Sequence, residues 1–179
     1  ATSGTYAFAP GAGDLILAAF ARIGKRRSEV LSEFLQDAYN ESNLMLSDWS
    51  TRPGPNWWAT DTVTTALVEG TATYTLSAAT IQIVQAYLTV GSGSSAYNRV
   101  LGPMSTTDYT SLSQPTQQGF PTSFWFDRQT TPQITLWPVP DGSSTYTLNL
   151  RRWRQLQDTD VAGGVQPEIP WRFLDVFVW

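Results

Sequence analysis

Apolar residues recur over the first fifty positions at the three- and four-residue spacing of a helix, and over the middle of the chain at the two-residue spacing of a strand. Asp14 precedes Leu15, Ile16, Ala19, Phe20 and Ile23, a stripe that Gly24 closes. This predicts a short helix with Asp14 as N-cap and a glycine at its end. The basic run KRRS follows. From Ser28 as N-cap, Val30, Leu31, Phe34, Leu35, Ala38, Met45, Leu46 and Trp49 keep helical spacing, while Glu33, Asp37 and Glu41 share the other side. Two helices joined by about four residues predict an antiparallel helical hairpin, which STRPGPN ends.

Beyond Trp57 and Trp58 the period falls to two. In TATYTLS, Ala72, Tyr74 and Leu76 alternate with Thr71, Thr73, Thr75 and Ser77, the pattern of a half-buried strand. TVTTALVEG is placed to pair back on it through the Glu69-Gly70 corner, and IQIVQAYLTV is a further strand with a bulge near Val84. Residues 91–95, all Gly and Ser, make a hairpin or surface loop. Ser105 with Asp108 three positions on marks a short capped helical turn. PTSFWFDR, PQITLWPVP and STYTLNLRRWRQ are three more strands, the last with Tyr146, Leu148 and Leu150 on one face. Pro138 and Pro140 lack the N–H that a central strand donates, so the middle one stops at Trp137 and Asp141-Gly142 turns the chain. From Glu168, with Pro170 in a first turn, Trp171, Leu174, Phe177 and Val178 return to helical spacing. A helix that ends on apolar Trp179 is expected to continue or to be covered by a partner. The predicted fold is α+β: a helical hairpin plus C-terminal return helix forming a small bundle, with a β-rich antiparallel insert. Its parts are the hairpin in residues 1–56, the insert in 57–157 and the return in 158–179, one domain overall.

Composition removes most chemistry from this frame. The 179 residues include no Cys and no His, which excludes disulfides, thiolate and imidazole metal sites, cysteine nucleophiles and Ser-His-Asp triads. Asp158 with Asp160, or Asp127 with Asp141, are the carboxylate pairs on offer for hydrolysis or calcium. Each lies in a turn context, where Asp serves by bonding nearby backbone N–H groups. GSGSS lacks the Lys of a phosphate loop and the spacing of a dinucleotide fingerprint. No catalytic residue, cofactor or metal ligand is assigned. With 11 basic against 15 acidic residues the net charge is -4, which argues against tight DNA binding by the whole surface. No apolar run is long enough to span a bilayer and the N-terminus lacks a signal-peptide layout, so synthesis in the cytoplasm without membrane contact is expected.

Charged residues are 15% and aromatics 13%, eight of them Trp, which leaves more apolar and amphipathic surface than one core uses and predicts permanent assembly. The candidate subunit or partner contacts are two basic clusters, Lys25, Arg26 and Arg27, and Arg151, Arg152 and Arg154 around Trp153. Trp57 and Trp58, which point to opposite sides of an extended segment, and Phe177 and Trp179 complete the set. Interleaved Arg and Trp also suit stacking on bases, but the negative net charge favours a contact with protein.

The order of elements carries a resemblance. DLILAAFARIG, a second helix ending NESNLMLSDWS, GTATYTL after a glycine corner, GFPTSFWFD, ITLWPVPDGSSTYTLNL and EIPWRFLDVFVW follow one another. Over residues 12–179 they resemble the head-to-tail adaptor (connector) proteins of tailed bacteriophages, including the packaged-DNA stabilisation adaptors of short-tailed phages. The resemblance implies a non-enzymatic virion structural protein at the capsid-tail junction, made in the host cytoplasm. It implies a homo-oligomeric ring, a dodecamer, beneath the portal protein and above a downstream tail protein. Such a ring helps retain packaged DNA and lets it pass through the lumen at ejection without sequence-specific binding. In the family pattern the final helix continues into a segment that reaches the portal, so portal contacts do not carry over past Trp179. The alternative from the residues themselves is a carbohydrate-binding β-module with exposed Trp and Tyr as sugar platforms, against which the helical start and finish count.

Overall fold

Threonine, valine and aromatic residues alternate through the middle of the chain, and there the structure is sheet. The computed structural model describes residues 4–5, 7–52, 59–159 and 164–178. Trp57, Trp58, Asp160 and Trp179 lie outside the described residues. Contacts divide the chain into two units, residues 59–155 and a second built from residues 1–58 and 156–179. Four helices lie among the described residues, α1 Ala12–Arg22, α2 Ser32–Thr51, α3 Thr106–Thr110 and α4 Leu174–Phe177.

In the central unit β1 (Thr60–Ala66), β3 (Thr80–Val90), β4 (Tyr97–Val100) and β10 (Tyr146–Arg154) form an antiparallel sheet in the order β1-β10-β3-β4. β2 (Thr73–Thr75), β5 (Gly102–Met104), β7 (Ser123–Asp127) and β8 (Gln133–Trp137) form a second in the order β2-β8-β7-β5, and β6 (Gln118–Gly119) pairs with β9 (Val139–Pro140). Side chains on a strand alternate between faces, so Ala86, Leu88 and Val90 of β3 and Tyr146, Leu148 and Leu150 of β10 turn to one side. There they meet Phe124, Ile134 and Leu136 of the second sheet in one buried cluster. Leu88, Ile134, Leu136 and Leu148 have no solvent exposure. Each such side chain contributes roughly 1.5–3 kcal/mol relative to an exposed one.

The bulge expected near Val84 is present. Gln85 faces Arg151 and Ile83 faces Arg152, which leaves Val84 as the extra residue. Ser105 caps α3 through the N–H of Asp108, whose carboxylate returns the bond to Ser105. The strand stop is also as read: β8 ends at Trp137, and Asp141 Oδ1 accepts from the Ser143 N–H at 3.1 Å and from the Tyr146 hydroxyl at 3.0 Å. Gly142 between them has φ +69, a value that favours glycine.

Several expectations are corrected. The fold is mainly β, with ten strands in three sheets among the described residues, and not a helical bundle carrying an insert. The return helix is a 3₁₀ turn, Trp171–Phe173, plus the four residues of α4, because Pro170 holds extended backbone up to its start. The sheets are not purely antiparallel, since β5 pairs with β7 and β6 with β9 in parallel. β1 pairs with β10 and not with β2; the nine-residue β10 offers β1 a full-length ladder that the three-residue β2 does not. Neither Asp14 nor Ser28 serves as the N-cap predicted for it. α1 starts at Ala12 after Gly11, where the Ala12 N–H is satisfied by Val165 O at 3.0 Å, so Asp14 sits inside the first turn. Ser28 lies in a 3₁₀ turn, Arg27–Glu29, and α2 starts only at Ser32.

In the terminal unit Ala12 and Ile16 of α1 pack on Tyr39 of α2, with Phe20, Leu35 and Ala38 around them. The returning chain is tied to α2 by side chains: Ser50 Oγ accepts from the Leu156 N–H at 3.0 Å, and Asn43 Oδ1 accepts from the Thr159 N–H at 2.7 Å.

Candidate functional site

The parity of β10 sorts its basic residues. With Leu148 and Leu150 facing inward, Arg152 also faces inward and is only 9% exposed. A buried guanidinium is tolerable when its donors are met. Arg152 Nε and Nη2 donate to the two carboxylate oxygens of Asp61 on β1 at 2.8 and 3.1 Å, and Nη1 donates to Thr80 Oγ1 on β3 at 2.6 Å. Arg154 Nε adds a longer approach to Asp61 at 3.6 Å. The hydrogen bonds from Arg152 hold the Asp61 carboxyl below the usual carboxylate range. Partial burial opposes this and the charges of Arg152 and Arg154 reinforce it. One guanidinium therefore pins three neighbouring strands.

Arg151 and Trp153 point to the opposite face, beside Thr62 and Thr60 of β1; Trp153 is 38% exposed. The middle of this face is a row of bonded polar groups. Thr64 Oγ1 donates to Asn149 Oδ1 at 3.2 Å, Asn149 Nδ2 to Thr89 Oγ1 at 3.0 Å, and Thr89 Oγ1 to Asn98 Oδ1 at 2.8 Å. The row crosses all four strands, so these side chains bond one another and are not poised for a sugar.

Most of the exposed large hydrophobics among the described residues lie in the terminal unit. α2 buries Tyr39, Ser42, Leu46 and Ser50, a face rotated from the predicted stripe. Leu31 and Phe34 are consequently exposed, as is Leu44 at 65%. Ile23, Trp171 and Val176 are exposed too. Lys25, Arg26 and Arg27 are exposed in the connection. Their place is set by Gly24 at φ +83, where the Lys25 N–H reaches Phe20 O at 3.0 Å and closes α1. Arg26 N–H then donates to Glu29 Oε2 at 2.9 Å. Phe177 is buried; with Ile16, Phe20, Ile23 and Val178 it lines an apolar hollow of about 280 Å³.

A second hollow, of about 600 Å³, lies in the central unit between the bulged part of β3 and the pair β5 and β7. Ile83, Val84, Met104, Phe124 and Phe126 line it. Tyr109 of α3 stacks on Trp125 at 4.5 Å, and Trp125 Nε1 donates to Thr106 Oγ1 at 3.2 Å. Among the described residues no group of three His, Cys, Asp or Glu is arranged to hold a metal ion. None of the described helices is long and apolar enough to cross a membrane.

In sequence comparison the family model described as SU10 adaptor protein matches residues 11–179. The chain belongs to the SU10 adaptor protein family. This is a family of phage head-to-tail adaptors, so the resemblance read from the order of elements holds, and the role of this SU10 adaptor is structural, in the virion. No curated protein matches the chain.

Of the contact residues predicted for the adaptor, Lys25, Arg26 and Arg27 form one exposed group, and Arg151 with Trp153 share an outer face. Arg152 and Phe177 are turned inward. Leu31, Phe34 and Leu44 were missed as surface residues. The available signal was a helix apolar around more of its circumference than one contact face needs.

Proposed function

We propose that this adaptor assembles side to side into a closed ring of twelve copies beneath the portal, joins the capsid vertex to the next tail protein, and catalyses no reaction. The ring helps retain packaged DNA and lets it pass at ejection. The observation that carries this reading is the family match across residues 11–179. The exposed apolar residues of α2 support it, because an apolar surface in a structural protein is where copies or partners meet. The net charge of -4 supports a lumen that DNA passes without sticking, with repulsion screened beyond about 10 Å at 0.1 M salt. Lys25, Arg26, Arg27, Arg151 and Trp153, with Phe34 and Leu44, are the proposed contact residues. Sedimentation of the adaptor with its portal protein tests the reading: a joint species heavier than the portal is expected, and two separate species under assembly conditions overturn it.

A further inference from the structure

β3 runs eleven residues, Thr80–Val90, but β4 pairs only with its second half, from Tyr87 to Val90. Residues 80–85 have β10 on one side and, among the described residues, no strand on the other. A row of backbone N–H and C=O groups along a strand edge is a template for a further strand. The lane beside it is open for a definite reason. The Leu101 N–H bonds Ala86 O at 2.9 Å, after which the chain leaves β3 and pairs with β7 from Gly102 onward. The 600 Å³ cleft lies where the two sheets part; Ile83, Met104, Phe124 and Phe126 give it an apolar side, and Asp127 and Arg128 line it as well.

The other half of the match is near the start of the chain. Gly11 and Ala12 are buried, and the bond from Ala12 N–H to Val165 O fixes the root of the segment before them. Ahead of that root Ala7, Phe8 and Ala9 are exposed and belong to no helix or strand. Phe8, 80% exposed, is the most exposed large hydrophobic among the described residues. No side chain in residues 1–13 is charged, and none in residues 80–85 is charged either, so strand pairing between the two segments brings no charged side chain of their own together. The family match begins at residue 11, and the arm lies ahead of it.

We propose that the arm around Phe8 of one copy lies along residues 80–85 of β3 in a second copy, as an added strand, with Phe8 seated in the cleft. The proposal rests on the reading that copies of this adaptor associate, and it names a segment that links them. Backbone pairing supplies the alignment and the seated ring the anchor, the division of labour used wherever a peptide is added to a sheet edge.

The chain has no cysteine, so every disulfide formed joins two introduced thiols, and the mixed one reports on this contact. Full-length Ala9→Cys protein, which keeps the Phe8 ring, is mixed with full-length Val84→Cys protein under mild oxidation; Val84 borders the cleft and is 49% exposed. A covalent heterodimer is expected, with none when the second thiol is placed at Thr62 on the outer face of β1. Phe8→Ser is expected to weaken self-association by roughly tenfold or more, the loss for re-exposing a Phe ring, with the unfolding midpoint of the monomer unchanged. Association without the Ala9–Val84 link overturns the arm proposal and leaves the ring standing. A link formed only within one chain of the doubly substituted protein also overturns it. Absence of any association overturns both.

Discussion

Arg152 shows how one residue decides between interior and surface. Its neighbours Arg151 and Trp153 have similar chemistry, yet only Arg152 shares the parity of Leu148 and Leu150, and so only Arg152 meets Asp61 and Thr80. Removing the partner and leaving the guanidinium buried is costly, so Asp61→Ala is expected to destabilise the fold by about 3 kcal/mol, measured by urea unfolding at pH 7. The Asp61 carboxyl is depressed in the fold. Its contribution is therefore fully present above the unfolded carboxylate pKa and is lost as pH falls through the lower, folded value. Asp108 and Asp141 are depressed in the same direction by Ser105 and Ser143, so the difference between wild type and Asp61→Asn isolates the Asp61 part. That difference is expected to shrink as pH falls below about 4, and a constant difference down to pH 2 would contradict the assignment. Gly142 makes a second point at this scale. A methyl group there meets Glu69 Oε2 at 2.7 Å, and the backbone holds φ +69. The Glu side chain can swing away but the backbone strain stays, so Gly142→Ala is expected to cost about 1–2 kcal/mol, read as a lowered thermal midpoint.

At the scale of elements, the longer strands were legible, the short β4, β5, β6 and β9 were not, and neither was the pairing of β1 with β10. Period-two alternation marked β2, β3, β7, β8 and β10, because which side a strand residue faces is a local property. Pairing is not local: Thr60 meets Trp153 across most of the chain, and no signal near Thr60 names that partner. The helices erred in the opposite sense. Helical spacing identified α2 but not the face it buries, since Leu and Phe occur around much of its circumference and Tyr39 with Ser42 took the inside. The return segment was overread because Leu174 and Phe177 carry helical spacing for only one turn. The contact surface was partly legible for the same reason as the core: the parity that put Leu148 and Leu150 inside also placed Arg151 and Trp153 outside and Arg152 within. A paired substitution separates core from contact. Leu148→Ala, fully buried, is expected to cost 2–5 kcal/mol. Leu44→Ser, largely exposed, is expected to stay within about 0.5 kcal/mol in the same unfolding experiment.

For the whole molecule the useful quantity is the apolar surface left over once each unit has buried its own core. Phe34 and Leu44 stand on α2 without a role in the cluster of Ala12, Ile16 and Tyr39. Phe34→Glu with Leu44→Glu is expected to abolish co-sedimentation with the portal while leaving the circular dichroism spectrum unchanged; retained co-sedimentation would move the contact elsewhere.

The central unit begins and ends on the adjacent antiparallel strands β1 and β10, where the Arg154 N–H bonds Ala59 O at 2.9 Å. Both of its ends thus leave from one corner. Tension drawn between residues 59 and 155 does not shear the ladder as a block but opens it rung by rung from that corner, like a zip. Arg152 and Asp61 sit on the second rung of strand pairing, next to Thr60 and Trp153, so the bidentate clamp stands where peeling would start and sets the force at which the sheet lets go.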